Sequence, residues 1–146
     1  MLSRKSKYGL KALMLLARES GRGPVLISEL ARREAIPRKY LKAILLELKR
    51  HGVVQSRKGK GGGYFLRRKP DEVTFGHVIR LLDGPLAAVP CVSQTAYMTC
   101  VECVDEATCG VRIAMKEVRD ATARILDHTT LAGVNARVAR TRGKSS

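Results

Sequence analysis

Along this chain, short stretches with apolar residues every three or four positions alternate with breaks rich in Gly and Pro. Leu10, Leu13, Met14, Leu16 and Ala17 fall on one face of a helix predicted over Lys7 to Glu19, the spacing of an element with one buried side. Gly21-Arg22-Gly23-Pro24 stops it, and Val25-Leu26-Ile27 is long enough only for a brief extended segment. Ser28 has the chemistry of an N-cap for the next helix, whose Leu30 and Ala31 would face the core. Pro37 suits the first position of a third helix running to His51, with Gly52 as its terminator. Leu41, Ile44, Leu45 and Leu48 share one side of it, while Arg38, Lys39, Lys42 and Lys49 lie largely off that side. Three helices with a tight turn before the third predict a helix-turn-helix.

The period then changes. Val53 to Arg57 and Tyr64 to Leu66 are β-prone runs around the turn Lys58-Gly59-Lys60-Gly61-Gly62-Gly63, which predicts a hairpin. Placed behind a helix-turn-helix, that hairpin is a wing. A phosphate-cradling nucleotide loop is the rival reading, but such a loop leads into a helix and carries G-K-S or G-K-T, neither of which is present. Thr74 can cap a fourth helix, FGHVIRLLD, ended by Gly84-Pro85. Further on, Val111, Ala114, Met115, Val118, Ala121, Thr122, Ile125 and Leu126 trace a narrow apolar stripe. So narrow a seam suits packing against another helix across a two-fold axis, or else covering its own domain.

The predicted fold is mainly α with a small β-hairpin. A winged helix-turn-helix domain spans 1–84, and a cysteine-rich sensor loop spans 85–109. A long dimerisation helix with its C-terminal segment spans 110–134, and a basic, disordered tail spans 135–146.

Charge narrows the partners. Twenty-eight Lys and Arg against 13 Asp and Glu give a net charge of +15 and a pI near 10.3. That excess favours a polyanion, because each phosphate neutralised releases condensed counterions. No apolar run approaches the roughly twenty residues of a membrane-spanning helix. The basic Met1 to Tyr8 followed by apolar Leu10 to Ala17 imitates a signal peptide, but Lys11 interrupts it and Arg18-Glu19 stand where a cleavage site belongs. A cytoplasmic location is expected. No Ser/His/Asp set or usefully spaced carboxylate pair points to a hydrolase, and the three histidines do not cluster.

All four cysteines lie between Cys91 and Cys109, spaced C-x8-C-x2-C-x5-C. Cys91, Cys100, Cys103 and Cys109 could bring four thiolates to one point, enough for a [2Fe–2S] or [4Fe–4S] cluster or for structural zinc. Metal-free thiol sensing is a third possibility. Glu102, Asp105 and Glu106 beside them should raise thiol pKa values, which opposes it. Cys100-Val101-Glu102-Cys103 has the spacing of a thiol–disulfide oxidoreductase, but the βαβ context of such enzymes is missing.

Three stretches, MLSRKSKYGLKALMLLA, IPRKYLKAILLELKRHGVV and SRKGKGGGYFL, make the chain resemble the IscR/NsrR/CymR-type bacterial winged-helix regulators of the Rrf-two superfamily, from about Met1 to Leu131. The resemblance implies a homodimeric transcription factor that binds a palindromic double-stranded DNA operator, with a cysteine loop that holds an iron–sulfur cluster in several members. It also implies two departures. IscR-like members place a His where this chain has Arg112, and NsrR-like members use a carboxylate where it has Lys7. Neither can serve as a ligand, so the four cysteines would form the metal set, as in a four-cysteine branch. On the DNA side, Arg38, Lys39, Tyr40 and Lys42 begin the recognition helix. Arg57, Lys58 and Lys60 on the wing would meet phosphates or a minor groove, and Arg4, Lys5 and Lys7 would add phosphate contacts.

Overall fold

The computed structural model describes residues 2–144, and Met1, Ser145 and Ser146, at the ends of the first and last expected segments, lie outside them. Helix α1 is Arg4–Arg18, α2 Ile27–Glu34, α3 Arg38–Arg50, α4 Phe75–Asp83, α5 Gly110–Leu126 and α6 Leu131–Lys144, with strands β1 Val54–Arg57 and β2 Gly63–Leu66 after α3. Leu13, Leu15 and Leu16 of α1, Leu30 of α2, and Leu41, Ile44, Leu45 and Leu48 of α3 form one core with Val78 of α4. Gly9 is what lets α1 approach so closely. A Cβ there would stand 2.5 Å from Leu82 Cδ1 and 3.4 Å from Ile44 Cγ2.

The second helix begins earlier than its sequence suggests. Val25 pairs with Tyr64 through two backbone hydrogen bonds of 2.8 Å, so the helix starts directly after that bridge and Leu26 holds the cap position without a side-chain bond. Ser28 is therefore inside α2 and is not its cap. Pro37 likewise stands at the cap position of α3, one residue ahead of the helix. Between them the chain turns through Ala35, at a left-handed φ of 54°, and Ile36 N–H donates back to Ala31 O at 2.9 Å. This is the helix-turn-helix turn.

The wing is antiparallel, with Val54 opposite Leu66 and Arg57 opposite Gly63. Its glycines have separate reasons. Gly61 has φ 76°, a Cβ on Gly62 would strike the Arg57 carbonyl, and Gly63, at φ 140°, lies against the Val25 carbonyl. Thr74 caps α4 as expected, its Oγ1 accepting from His77 N–H at 3.1 Å.

In the C-terminal third, the expected long helix is α5, which ends at Leu126, and the segment beyond it enters a further helix. His128 Nδ1 lies 2.7 Å from Arg124 O and Thr129 Oγ1 donates to Ile125 O at 2.7 Å, so side chains cover the last carbonyls. Asp127 meanwhile accepts two hydrogen bonds from Arg80 of α4 at 2.5 and 3.0 Å. The chain then bridges Thr130 to Thr74 and enters α6, capped by Thr130 Oγ1 at 2.9 Å from Gly133 N.

The expected disordered tail is helical through Lys144. Ala and Arg are good helix formers, and tertiary contacts fix the register. Leu131 is fully buried in the winged-helix core, and Asn135 Nδ2 donates to Met14 O at 3.0 Å. Helix α6 is therefore anchored on the first domain through Leu131 and Asn135, its other described residues being half-buried or exposed. Among the described residues, no helix is long and apolar enough to cross a membrane.

Candidate nucleic-acid interface and cysteine cavity

With Leu41, Ile44, Leu45 and Leu48 turned inward, α3 presents Arg38, Lys39, Lys42, Lys49 and Arg50 to solvent. Tyr40 is 43% exposed and meets Tyr8 edge-on, ring centroids 5.6 Å apart, so it also braces α3 against α1. Lys5 was expected on phosphate, but it pairs with Glu47 at 2.6 Å and so ties α1 to α3. Arg4 and Lys7 remain exposed on the first turns of α1.

Lys49 Nζ donates to Ser56 Oγ at 2.7 Å, which fixes β1 beside α3. Sequence placed Lys49 off the buried face, but this wing-docking bond needs the folded geometry. Arg57 lies over the Phe65 ring at 5.6 Å, leaving Lys58 and Lys60 exposed at the wing tip. The first helix, the third helix and the wing are thus joined side by side, and each carries exposed cations. Exposed cations of this kind attract a phosphate backbone.

The cysteine segment runs as short turns between α4 and α5. Pro90–Val92 and Glu106–Thr108 are single 3-10 turns. Ser93 Oγ accepts from Ala96 N at 2.8 Å, Cys103 N–H donates to Cys100 O at 3.0 Å, and Asp105 accepts from Ala107 N and Thr108 Oγ1. Cys109 caps α5, its carbonyl accepting from Ile113 N at 3.0 Å. All four cysteines are free thiols, Cys91 buried, Cys103 and Cys109 half-buried, Cys100 exposed.

The four line one cavity of about 770 Å³, together with Met98, Val101, Val104, Val111 and Arg112. The Cys103 thiol is pushed above its ordinary value, first by lost hydration, then by the Glu106 carboxylate and the other three cysteines. Among the described residues, no three of His, Cys, Asp and Glu converge tightly enough to chelate one metal ion. The donor set still fits a soft centre in kind, since four sulfur ligands border one space.

Two contacts tie this segment to the rest. Arg119, on α5 and only 14% exposed, donates to the Val92 carbonyl at 2.5 Å, one residue beyond Cys91. At the other end of α5, Asp127 holds Arg80 of α4. The outer face of α5 is bare: Val111, Val118 and Ile125 are 65%, 50% and 62% exposed, and Ile113, which lies off the predicted stripe, is also exposed. Met115 and Leu126 of the same stripe turn towards their own chain and are half-buried.

Comparison with known proteins agrees with this architecture. The Rrf2 family model, described as an iron-dependent transcriptional regulator, matches residues 2–137. A putative rrf2-like HTH-type transcriptional regulator of Rhodobacter capsulatus is 41% identical over 134 residues, covering 90% of this chain and 89% of that one. The solved structure of CymR, the global cysteine regulator of B. subtilis, superposes with a TM-score of 0.79 at 31% identity, over 94% of this chain and 97% of that one. For T. potens IscR the TM-score is 0.74 at 28% identity, over 94% and 88%. The winged-helix fold, the exposed basic residues of α3 and these relatives lead to one conclusion: the chain belongs to the Rrf2 family of DNA-binding transcriptional regulators, and it is not an enzyme.

Proposed function

We propose that the protein is a homodimeric regulator whose operator affinity depends on an iron–sulfur cluster held by Cys91, Cys100, Cys103 and Cys109. The observation that carries this reading is that all four cysteines border one cavity on a segment latched to α5 by Arg119. The exposed Val111, Val118 and Ile125 supply the dimer seam, where α5 would pack against its copy. Arg38, Lys39, Tyr40 and Lys42 read base edges in the major groove, and Arg57, Lys58, Lys60, Arg4 and Lys7 hold phosphates or the minor groove. Two such faces on a two-fold axis fit a palindromic operator with half-sites about 34 Å apart. The place of work is the cytoplasm, where the DNA is.

A bound cluster would supply a reversible change of charge and ligation at the cavity. The protein's own part is mechanical. Drawing the thiols together pulls the 90–92 turn, Arg119 carries that pull into α5, and the Arg80–Asp127 pair passes it to the winged helix. Arg119→Met should bind iron and sulfide like the wild type, yet show the same operator affinity with and without them. A variant that still responds fully would sink this route.

A second reading uses metal-free thiol chemistry, favoured by the four free cysteines and the kinship with CymR. Cys103→Ala separates the two. Under the cluster reading it loses iron and sulfide binding; under the thiol reading metal content is nil in both proteins and only the response to oxidant changes.

A further inference from the structure

The wall of the cysteine cavity contains one basic residue, Arg112, on the first turn of α5. Among the described residues its side chain makes no hydrogen bond or ion pair, and its Nε is shut off from solvent without a partner. Its neighbours on the same structural path differ. Arg119 is bonded to Val92 O and to Asp120, and Arg80 to Asp127. Of the nearby carboxylates, Asp105 caps its own 3-10 turn and Glu106 bonds Tyr97, while Glu102 lines the same cavity without an ion pair to Arg112. A buried N–H without a partner is destabilising, and an apolar side chain at 112 would not carry that penalty.

The guanidinium thus belongs to a residue bordering a cavity that the four cysteines line together with Thr99, Glu102, Asp105 and Thr108. Four thiolates gathered on a cluster make the cavity strongly negative, and N–H donors to cluster sulfurs are a main determinant of reduction potential. We infer that Arg112 is a tuning residue, whose guanidinium donates to the sulfur atoms of the cysteine-held cluster and offsets its charge. The inference rests on the cluster reading above. Taking up one electron from a low-potential one-electron donor adds one negative charge to the site and neither adds nor removes an atom. A fixed cation beside that charge favours the reduced state.

The test is a redox titration of protein reconstituted anaerobically, comparing wild type with Arg112→Met and Arg112→Lys. Arg112→Met should make the reduced state at least tenfold less favoured, about 59 mV lower for a one-electron couple. Arg112→Lys, which keeps the charge but loses the fork of donors, should lie between. Equal midpoints in all three proteins at equal iron and sulfide content would overturn the inference. Failure of Arg112→Met to load, with loading restored by Lys, would support it; failure of both variants while their helix content is intact would count against it. Wild-type protein that takes up neither iron nor sulfide would overturn the parent reading, and that result is visible before any variant is made.

Discussion

Leu13, Leu45 and Leu131 come from three different helices and are each fully buried in one core, whereas among the described residues of α5 none is buried. The first region closes on itself. Its helices, its wing and even the last helix share apolar contacts, and its ion pairs, such as Arg18 with Glu34 at 3.0 Å, lie around that core. The second region is held by a few polar ties, Arg119 to Val92 and Arg80 to Asp127, and leaves apolar side chains on both the cysteine segment and α5 facing outward. The contrast locates stability in the first region and ease of local opening in the second, since elements with few buried contacts open at low free-energy cost.

The contrast can be broken most forcefully in the core. Leu45→Ala should lower unfolding free energy by about 2–5 kcal/mol in a denaturant titration. The same experiment on Val118→Ala, on the bare face of α5, should show a change within about 0.5 kcal/mol for the monomer. An equal loss in both would mean that the two regions are not distinct. Gly9→Ala comes next, at about 1–3 kcal/mol, because its new methyl must displace Leu82. A neutral result would show that α1 and α4 can separate freely.

The tie between the regions is smaller. Asp127→Asn should cost up to about 1 kcal/mol, the range of a partly exposed ion pair. The sign with pH follows from the hydrogen bond of Arg80, which holds the Asp127 carboxyl below its ordinary value. Its contribution is complete above the ordinary carboxyl range, about pH 4, and is lost as pH falls through the lowered value. Thermal melts of wild type and Asp127→Asn should therefore converge in acid and differ at neutral pH. The smallest expected effect on stability has the clearest effect on assembly: Val118→Asp should melt within about 0.5 kcal/mol of a monomeric wild type, yet sediment as a monomer at concentrations where the wild type is dimeric.

Legibility in the sequence followed the same division. The buried face of α3, the Thr74 cap and the glycine-rich wing were readable because local periodicity and local chemistry determine them. Ser28 misled because the start of α2 depends on Val25 pairing with Tyr64, 39 positions away. The break after Leu126 and the helix that follows depend on Arg80, Thr74 and Met14, contacts that no local pattern encodes. Lys5 read as a free cation for the same reason, since its partner Glu47 is brought to it only by packing of α1 on α3. At the cysteines, spacing suggested a shared donor set, while the shared cavity and the unpartnered Arg112 Nε emerged only in three dimensions.

The central claim is that the four cysteines hold a cluster that sets operator affinity. Anaerobic purification, with a visible spectrum, iron, sulfide and zinc assays and DNA titrations before and after cluster removal, tests it most directly. The account predicts a coloured protein with matching iron and sulfide and a changed affinity once they are removed. A colourless protein with stoichiometric zinc, or one that fails to take up iron and sulfide on reconstitution, would contradict it.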